Sequence, residues 1–259
     1  MTRVPAKKEL GQHFLVDENI VRVAGRLAAL APEDVVLEIG PGLGVLTAYL
    51  ADHVRLVHAV ELDRSLEPRL RERLGARENV ELLFGDALRV PLHELDPPPG
   101  KLVSNLPYSV ATPIVVESLD GLPTVELWCV MVQREVADRF FAEPGTRSYG
   151  AVSVLLRLTA ERIGFHPVSR TVFQPQPNVD SALVAFRRTR AWGAEYPALK
   201  RVVQAAFAHR RKTLANSLAL SGFDRGRAEA ALAAAGLDSG TRAEALQPES
   251  ILALAERLA

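Results

Sequence analysis

The sequence predicts an α/β protein: a large domain with a mostly parallel sheet covered by helices, followed by a small all-α C-terminal domain. Three observations predict it. Strand-length apolar runs alternate with helical patterns from residue 20 to about 130. A glycine-rich turn, Gly40-Pro41-Gly42-Leu43-Gly44, stands between the first of those runs and the helix after it. Beyond about Ala191 the composition shifts to Ala, Leu and Arg at helical spacing, with no strand signal. Near-continuous apolar strands separated by helices are buried on both faces, the mark of a parallel sheet.

The elements follow in order. Val35-Val36-Leu37-Glu38-Ile39 reads as a buried strand ended by glycines, and Leu43 to Ala51 as the helix after it. Leu56 to Val60 is a second strand, Arg64 to Leu74 a charged helix, and Val80 to Phe84 a third strand. Lys101 to Ser104 leads into a fourth strand, Thr112 to Leu119 is helical, Leu127 to Val132 is a fifth strand, and Glu135 to Phe141 is helical. Val152 to Thr159 and Ala182 to Phe186 read as further strands, flanking the Pro-rich loop Phe173 to Asn178. In the Ala-rich tail, Gly222, Gly236 and Gly240 read as helix ends. Residues 1 to about 190 thus form the α/β domain, and 191–259 the helical one.

At 259 residues the chain can bury a full core, and 48% hydrophobic with 24% charged residues is ordinary for a globular protein. No apolar run approaches the roughly 18 residues that span a bilayer, and no apolar stretch follows the basic start, so neither a membrane partner nor a secretory signal is expected. The single cysteine, Cys129, excludes an intramolecular disulfide and a Cys-based zinc cluster, and its apolar surroundings predict a buried small hydrophobe. A cytoplasmic monomer without a metal is the expectation. Net charge is zero, but its distribution is uneven: residues 1–130 carry 13 Lys and Arg against 19 Asp and Glu, and residues 131–259 carry 18 against 12. Between Arg187 and Asn216 eight basic residues face only Glu195. That run reads either as a nucleic-acid surface on a neutral body or as a solvated helix face.

The glycine turn follows a strand and opens a helix, where a ligand can approach the backbone that a Cβ would obstruct. Its spacing is G-x-G-x-G and not the G-x-G-x-x-G of dinucleotide sites, since Val45 stands three residues after Gly42. Gly40 and Gly42 are therefore candidates for holding a different ligand. Glu61 ends the second strand, 21 residues after Gly40, placed to accept hydrogen bonds from both hydroxyls of a ribose. Asp86 ends the third, placed to accept from an adenine amine. Each acid alone could be a helix N-cap; a glycine turn followed by acids after the next two strands points to an adenosine-type cofactor. The spacing and the lack of a hydride-transfer site disfavour a nicotinamide dehydrogenase.

Asn105-Leu106-Pro107-Tyr108 follows the fourth strand at the same sheet edge. An adenine N6 lone pair is delocalised into the ring and is a poor nucleophile. An Asn oxygen and a main-chain carbonyl, that of Leu106, can accept both N6 hydrogens and draw the nitrogen toward tetrahedral geometry. Pro107 fixes the backbone, and Tyr108 offers a stacking face worth about 1–3 kcal/mol per base. Catalysis of methyl transfer is then mostly positioning and electrostatics. The alternative is an Asn-x-Pro turn with a core tyrosine.

Taken together these segments closely resemble the KsgA/RsmA family of small-subunit ribosomal RNA adenine dimethyltransferases, over nearly the whole chain. Gly11-Gln12-His13-Phe14-Leu15 is similar to the family's GQNFL element, Glu38 to Gly44 to its glycine loop, and Val60 to Asp63 and Gly85 to Ala87 to its two acidic segments. Asn105 to Tyr108 reproduces its NLPY, Phe173 to Ala182 its FxPxPxVDSA loop, and Phe207 to Leu214 its basic helical FxxRRKTL element. His13 and Ser109 stand where the family usually has Asn, and Leu10 where an aromatic residue is common.

The resemblance implies a Rossmann-like class I methyltransferase domain and a helical RNA-binding domain. It implies S-adenosyl-L-methionine as cofactor, contacted by His13, Leu15, Gly40, Glu61, Asp86 and Asn105. Phe173 would help hold the flipped target base, and Arg210, Arg211 and Lys212 would grip RNA phosphates. The implied substrate is a pair of adjacent adenines near the 3′ end of small-subunit ribosomal RNA in an assembling small subunit, each converted to N6,N6-dimethyladenosine. Two other functions suit the same fold: a macrolide-resistance methyltransferase acting on one large-subunit adenine, and an RNA-binding assembly factor without catalysis. The FxPxPxVDSA and RRKTL elements disfavour the first, and intact Asn105, Pro107 and Tyr108 the second.

Overall fold

The computed structural model describes residues 7, 12–238 and 240–258. Gly11 of the GQHFL element, and Arg3, Lys8 and Leu10 of the arm before it, lie outside the described residues. Contacts divide the chain into two compact units, Met1–Ala137 with Arg162–Arg188, and Asp138–Glu161 with Thr189–Ala259.

The first unit begins with β1 (Phe14–Leu15) and α1 (Glu18–Leu27), whose N-terminal amides are capped by the Asp17 carboxylate. Then come β2 (Val35–Ile39), α2 (Val45–Ala51), β3 (Leu56–Glu61), α3 (Glu67–Leu74), β4 (Val80–Phe84), β5 (Lys101–Asn105), α4 (Ala111–Gly121), β6 (Leu127–Gln133) and α5 (Arg134–Phe140). After α6 (Ala151–Thr159), β7 (Ala160–Val168), β8 (Phe173–Gln174) and β9 (Ser181–Arg188) complete the sheets. The seven-stranded sheet runs β4-β3-β2-β5-β6-β9-β7, parallel from β4 to β6, with β9 antiparallel to β6. Every residue of β2 is buried, as a strand covered on both faces requires. Cys129 is buried on β6, and burial pushes its thiol up to about 12, so it is an inert core residue.

Strand order reverses between β2 and β5, the switch point at which open α/β sheets bind ligands. The β2–β5 ladder ends at Leu37 opposite Leu102. One step further the amide of Ile39 donates to the Ser104 hydroxyl at 2.7 Å instead of to a β5 carbonyl. The two strand ends therefore separate while the polar groups stay satisfied.

The second unit holds α6, α7 (Tyr196–Ala208), α8 (Leu214–Leu220), α9 (Arg225–Ala234) and α10 (Pro248–Leu258). Three expectations need correction. The segment read as a strand at Val152 to Thr159 is the helix α6, with Val154, Leu155, Leu156 and Leu158 all buried. A short apolar run has no periodicity that separates a buried strand from a buried helix; the strand begins one residue later, at Ala160. The composition shift near Ala191 does not mark the whole division, because residues 138–161 pack with the helices. Tyr149 carries that link, its buried hydroxyl donating to the Leu246 carbonyl at 2.8 Å, 97 residues on. Gly240 ends no helix: α9 stops at Ala234, and Gly222 and Gly236 (φ +90° and +69°) supply the left-handed turns after α8 and α9. Among the described residues no helix is long and apolar enough to cross a membrane.

Candidate functional site

A cavity opens at the β2/β5 switch point, lined by the glycine turn, the ends of β3 and β4, the Asn105–Val110 segment and Gln12 to Leu15. Gly40 and Gly42 adopt φ of +77° and +59°, which favour glycine, and a Cβ on Gly42 would meet the Phe14 ring at 3.0 Å. The turn is therefore a bare backbone cradle at the cavity wall.

Glu61 is buried at the end of β3, and each of its oxygens takes one backbone amide, Gly42 at 3.0 Å and Asp63 at 2.8 Å. Burial raises its pKa, and the backbone amides of Asp63, Gly42 and Leu62 oppose that shift. A carboxylate has about four lone-pair sites, so Glu61 keeps capacity for a further donor while its orientation is fixed. Asp86 follows β4, and its Oδ1 accepts the amide of Leu88 at 3.0 Å. The residue both caps a turn and lines the cavity.

Asn105 ends β5, and its Nδ2 donates to the His13 carbonyl at 3.3 Å, which orients the amide and leaves Oδ1 as an acceptor. The Leu106 amide donates to Met131 at 3.0 Å, and among the described residues its carbonyl takes no hydrogen bond. The Tyr108 hydroxyl shares a 2.7 Å hydrogen bond with Ser181, and burial raises the phenol's pKa, keeping it protonated. The His13 ring lies against Tyr108 and its Nδ1 is 2.8 Å from the Pro175 carbonyl. Leu15 is buried in β1 and pairs with Phe173 of β8. Phe173 differs from the other residues predicted to hold the cofactor and target base: its side chain belongs to the hydrophobic core, and it is not part of the cavity lining.

Sequence reasoning assigned no role to three residues that shape this cavity. Glu38 lies within β2, 1% exposed, and its Oε2 has no hydrogen-bond partner. Burial, reinforced by the nearby Glu61 charge and opposed by Thr47, raises its pKa to about 8, so it is largely a neutral acid at pH 7. A carboxylate inside an otherwise apolar strand was the signal. Asp63 is buried and accepts from Lys7 Nζ at 2.7 Å, Gln12 Nε2 at 2.9 Å and Ser65, which together hold its carboxyl below the usual range despite burial. It thereby ties Gln12 to the sheet edge. Ser181 anchors Tyr108 and carried no local signal.

The orphaned Glu38 oxygen, the bare glycine cradle and the cavity-lining carboxylates of Glu61 and Asp86 together fit a ligand rich in hydroxyls and amines, as a nucleoside with an amino-acid tail is. Relatives make the match specific. Residues 4–259 match the family model of ribosomal RNA adenine dimethylases. The chain belongs to that family. It is 48% identical over 252 residues to the ribosomal RNA small subunit methyltransferase A of Rubrobacter xylanophilus, covering 97% of this chain and 95% of the relative. It is 42% identical over 265 residues to the protein of the same name in Moorella thermoacetica, covering 97% and 92%. Among solved structures, a dimethyladenosine transferase from Plasmodium falciparum superposes with a TM-score of 0.77 at 22% identity, covering 93% of this chain and 96% of that one. The 23S ribosomal RNA methyltransferase ErmE superposes at 0.65 with 35% identity, covering 95% and 99%. The Rossmann-like methyltransferase fold of this chain is thereby established, and the Plasmodium likeness speaks to the fold alone.

The basic run that begins at Arg187 proves to be several structures. Arg188 is buried and donates to the carbonyls of Leu119, Val125 and Leu122 at 2.8–3.0 Å, an interior role within the first unit. Arg190 lies over Trp192, and Arg201 over Phe223. Arg210, Arg211 and Lys212 sit on the turn between α7 and α8 rather than on a helix, a correction to the helical reading. All three are exposed; Arg210 is held by the Arg147 carbonyl at 3.2 Å and Glu244 at 3.5 Å.

Proposed function

We propose that the chain uses S-adenosyl-L-methionine to convert two adjacent adenines near the 3′ end of small-subunit ribosomal RNA to N6,N6-dimethyladenosine during assembly of the small subunit. The observation that carries the reading is the Asn105–Tyr108 segment at the switch point, its amide oriented by His13, beside the glycine cradle. Gly40 and Gly42 would accept close approach of the cofactor, Glu61 its ribose hydroxyls, and Asp86 its adenine amine. When bound, the cofactor supplies an electrophilic methyl group. Asn105 Oδ1 and the Leu106 carbonyl accept the hydrogens of the target N6 and direct its lone pair toward that methyl. Once the nitrogen is alkylated its proton is acidic, so water suffices to remove it and no strong base is needed. A second round on the same amine uses the one remaining N6 hydrogen.

Arg211, Lys212 and Arg210 would bind RNA phosphates from the helical unit. The small-subunit names of the relatives at 42–48% identity support the substrate. ErmE, named for 23S RNA, is the less similar at 35%, which does not favour a large-subunit target. Intact Asn105, Pro107 and Tyr108 speak against a silent assembly factor. The test is methylation of under-methylated small subunits by the purified protein, followed by mass spectrometry of RNA fragments. Two neighbouring dimethyladenines are expected; label found only in large-subunit RNA would overturn the substrate.

A further inference from the structure

We infer that His13 is a positioning residue that braces the Tyr108 ring and joins it to Asn105 and to the Pro-rich loop. The inference rests on the reading of Asn105–Tyr108 as the target-base site. Four contacts carry it. The His13 and Tyr108 rings stack with centroids 5.6 Å apart and planes 30° apart, within the range of offset aromatic pairs. His13 Nδ1 lies 2.8 Å from the Pro175 carbonyl. A carbonyl only accepts, so the proton of the imidazole resides on Nδ1, which sets the tautomer and the plane of the ring. The His13 carbonyl accepts from Asn105 Nδ2 at 3.3 Å. The next two residues, Phe14 and Leu15, pair with Gln174 and Phe173, so the backbone on which the His13–Pro175 bond depends is itself laddered.

Tyr108 is consequently held at two points, its hydroxyl by Ser181 and one ring face by His13. A ring fixed before the base arrives has no rotamer freedom left to lose on binding, and fixed rings place the reacting atoms more closely. An Asn at this position could donate to the Pro175 carbonyl but has no face to stack. The ring lying against Tyr108 is that of His13, and Phe173 is withdrawn into the core. Bracing Tyr108 is a different part from the cofactor contact that the resemblance implies for His13.

The test compares His13→Ala, His13→Asn and His13→Phe. Calorimetry gives the Kd of S-adenosylmethionine, and methylation of under-methylated small subunits gives kcat and KM. His13→Ala and His13→Asn are expected to lower kcat about 10- to 100-fold, the scale of a misplaced reactive geometry, with the cofactor Kd within about 3-fold of wild type. His13→Phe, which restores the ring without the Pro175 bond, is expected to recover part of the lost kcat, a rescue that a role in folding alone would not show. It also keeps the test decisive if His13→Ala does not fold. A cofactor Kd weakened tenfold with unchanged kcat at saturating cofactor would overturn the inference in favour of direct cofactor contact. Wild-type activity in His13→Ala would overturn it while leaving the function intact. A wild-type protein that methylates no adenine would overturn both.

Discussion

The cavity at the switch point and the basic turn of the helical unit are both assigned to ligand recognition, but they are built in opposite ways. In the cavity the polar groups are buried or half-buried and several are already held by another: Glu61 by backbone amides, Asn105 by His13, Tyr108 by Ser181. The basic turn carries three exposed cations, with one of them, Arg210, tied to its own unit. The difference follows from the chemistry each reading requires. Methyl transfer between two small groups depends on position to a fraction of an ångström, so the orienting cost is met on folding. Phosphate binding is long-ranged and sequence-independent, so mobile cations in water suffice. Charge alone does not distinguish the two kinds of site; Arg188 lies in the same basic run and is an interior strut.

That contrast can be broken by experiment. Arg188→Leu should cost the most, about 3–5 kcal/mol of stability, because three buried carbonyls lose their donor; chemical denaturation reads this. The same variant should leave the salt dependence of RNA binding unchanged, and a shallower slope would return Arg188 to the RNA surface. Glu38→Gln comes next. Folded Glu38 titrates near pH 8, above its ordinary range, so the unfolded chain releases the proton first as pH rises. Wild type therefore holds its full contribution below about pH 4.5 and loses it progressively up to about pH 8. Thermal melts should show the wild type falling relative to Glu38→Gln over that window, by up to a few kcal/mol. Parallel curves would mean that Glu38 is ionised in the fold.

Glu61→Ala should weaken S-adenosylmethionine binding by about 10- to 100-fold, the worth of charged hydrogen bonds, while RNA affinity is retained; calorimetry distinguishes the two. The smallest effect is at the basic turn. Replacing Arg211 and Lys212 by Gln should weaken binding modestly and uniformly across RNA sequences, and reduce the slope of log K against log salt by about 1–2. An unchanged slope would make the turn a solvated surface.

How much of this was legible depends on whether a residue's role is local. The strands β2 to β6 and the glycine turn were, because burial on both faces leaves continuous apolar runs and a backbone cradle needs glycine. The place of Glu61, Asp86 and Asn105 in the cavity lining was, because position at a strand end in a parallel sheet sets what they can reach. The helix α6 was not, since nine residues dominated by Val and Leu carry no decisive period. Nor was the burial of Phe173, which pairs with Leu15, more than 150 residues away in sequence. Asp63 gathers Lys7, Gln12 and Ser65, and Ser181 meets Tyr108, only after folding.

The most direct test of the account is Asn105→Ala, assayed in parallel for methyl transfer to under-methylated small subunits and for binding of cofactor and RNA. Loss of transfer by at least about 100-fold, with RNA affinity within a few-fold of wild type, is the result the oriented amide predicts. Transfer at the wild-type rate would contradict it and remove Asn105 from the chemistry.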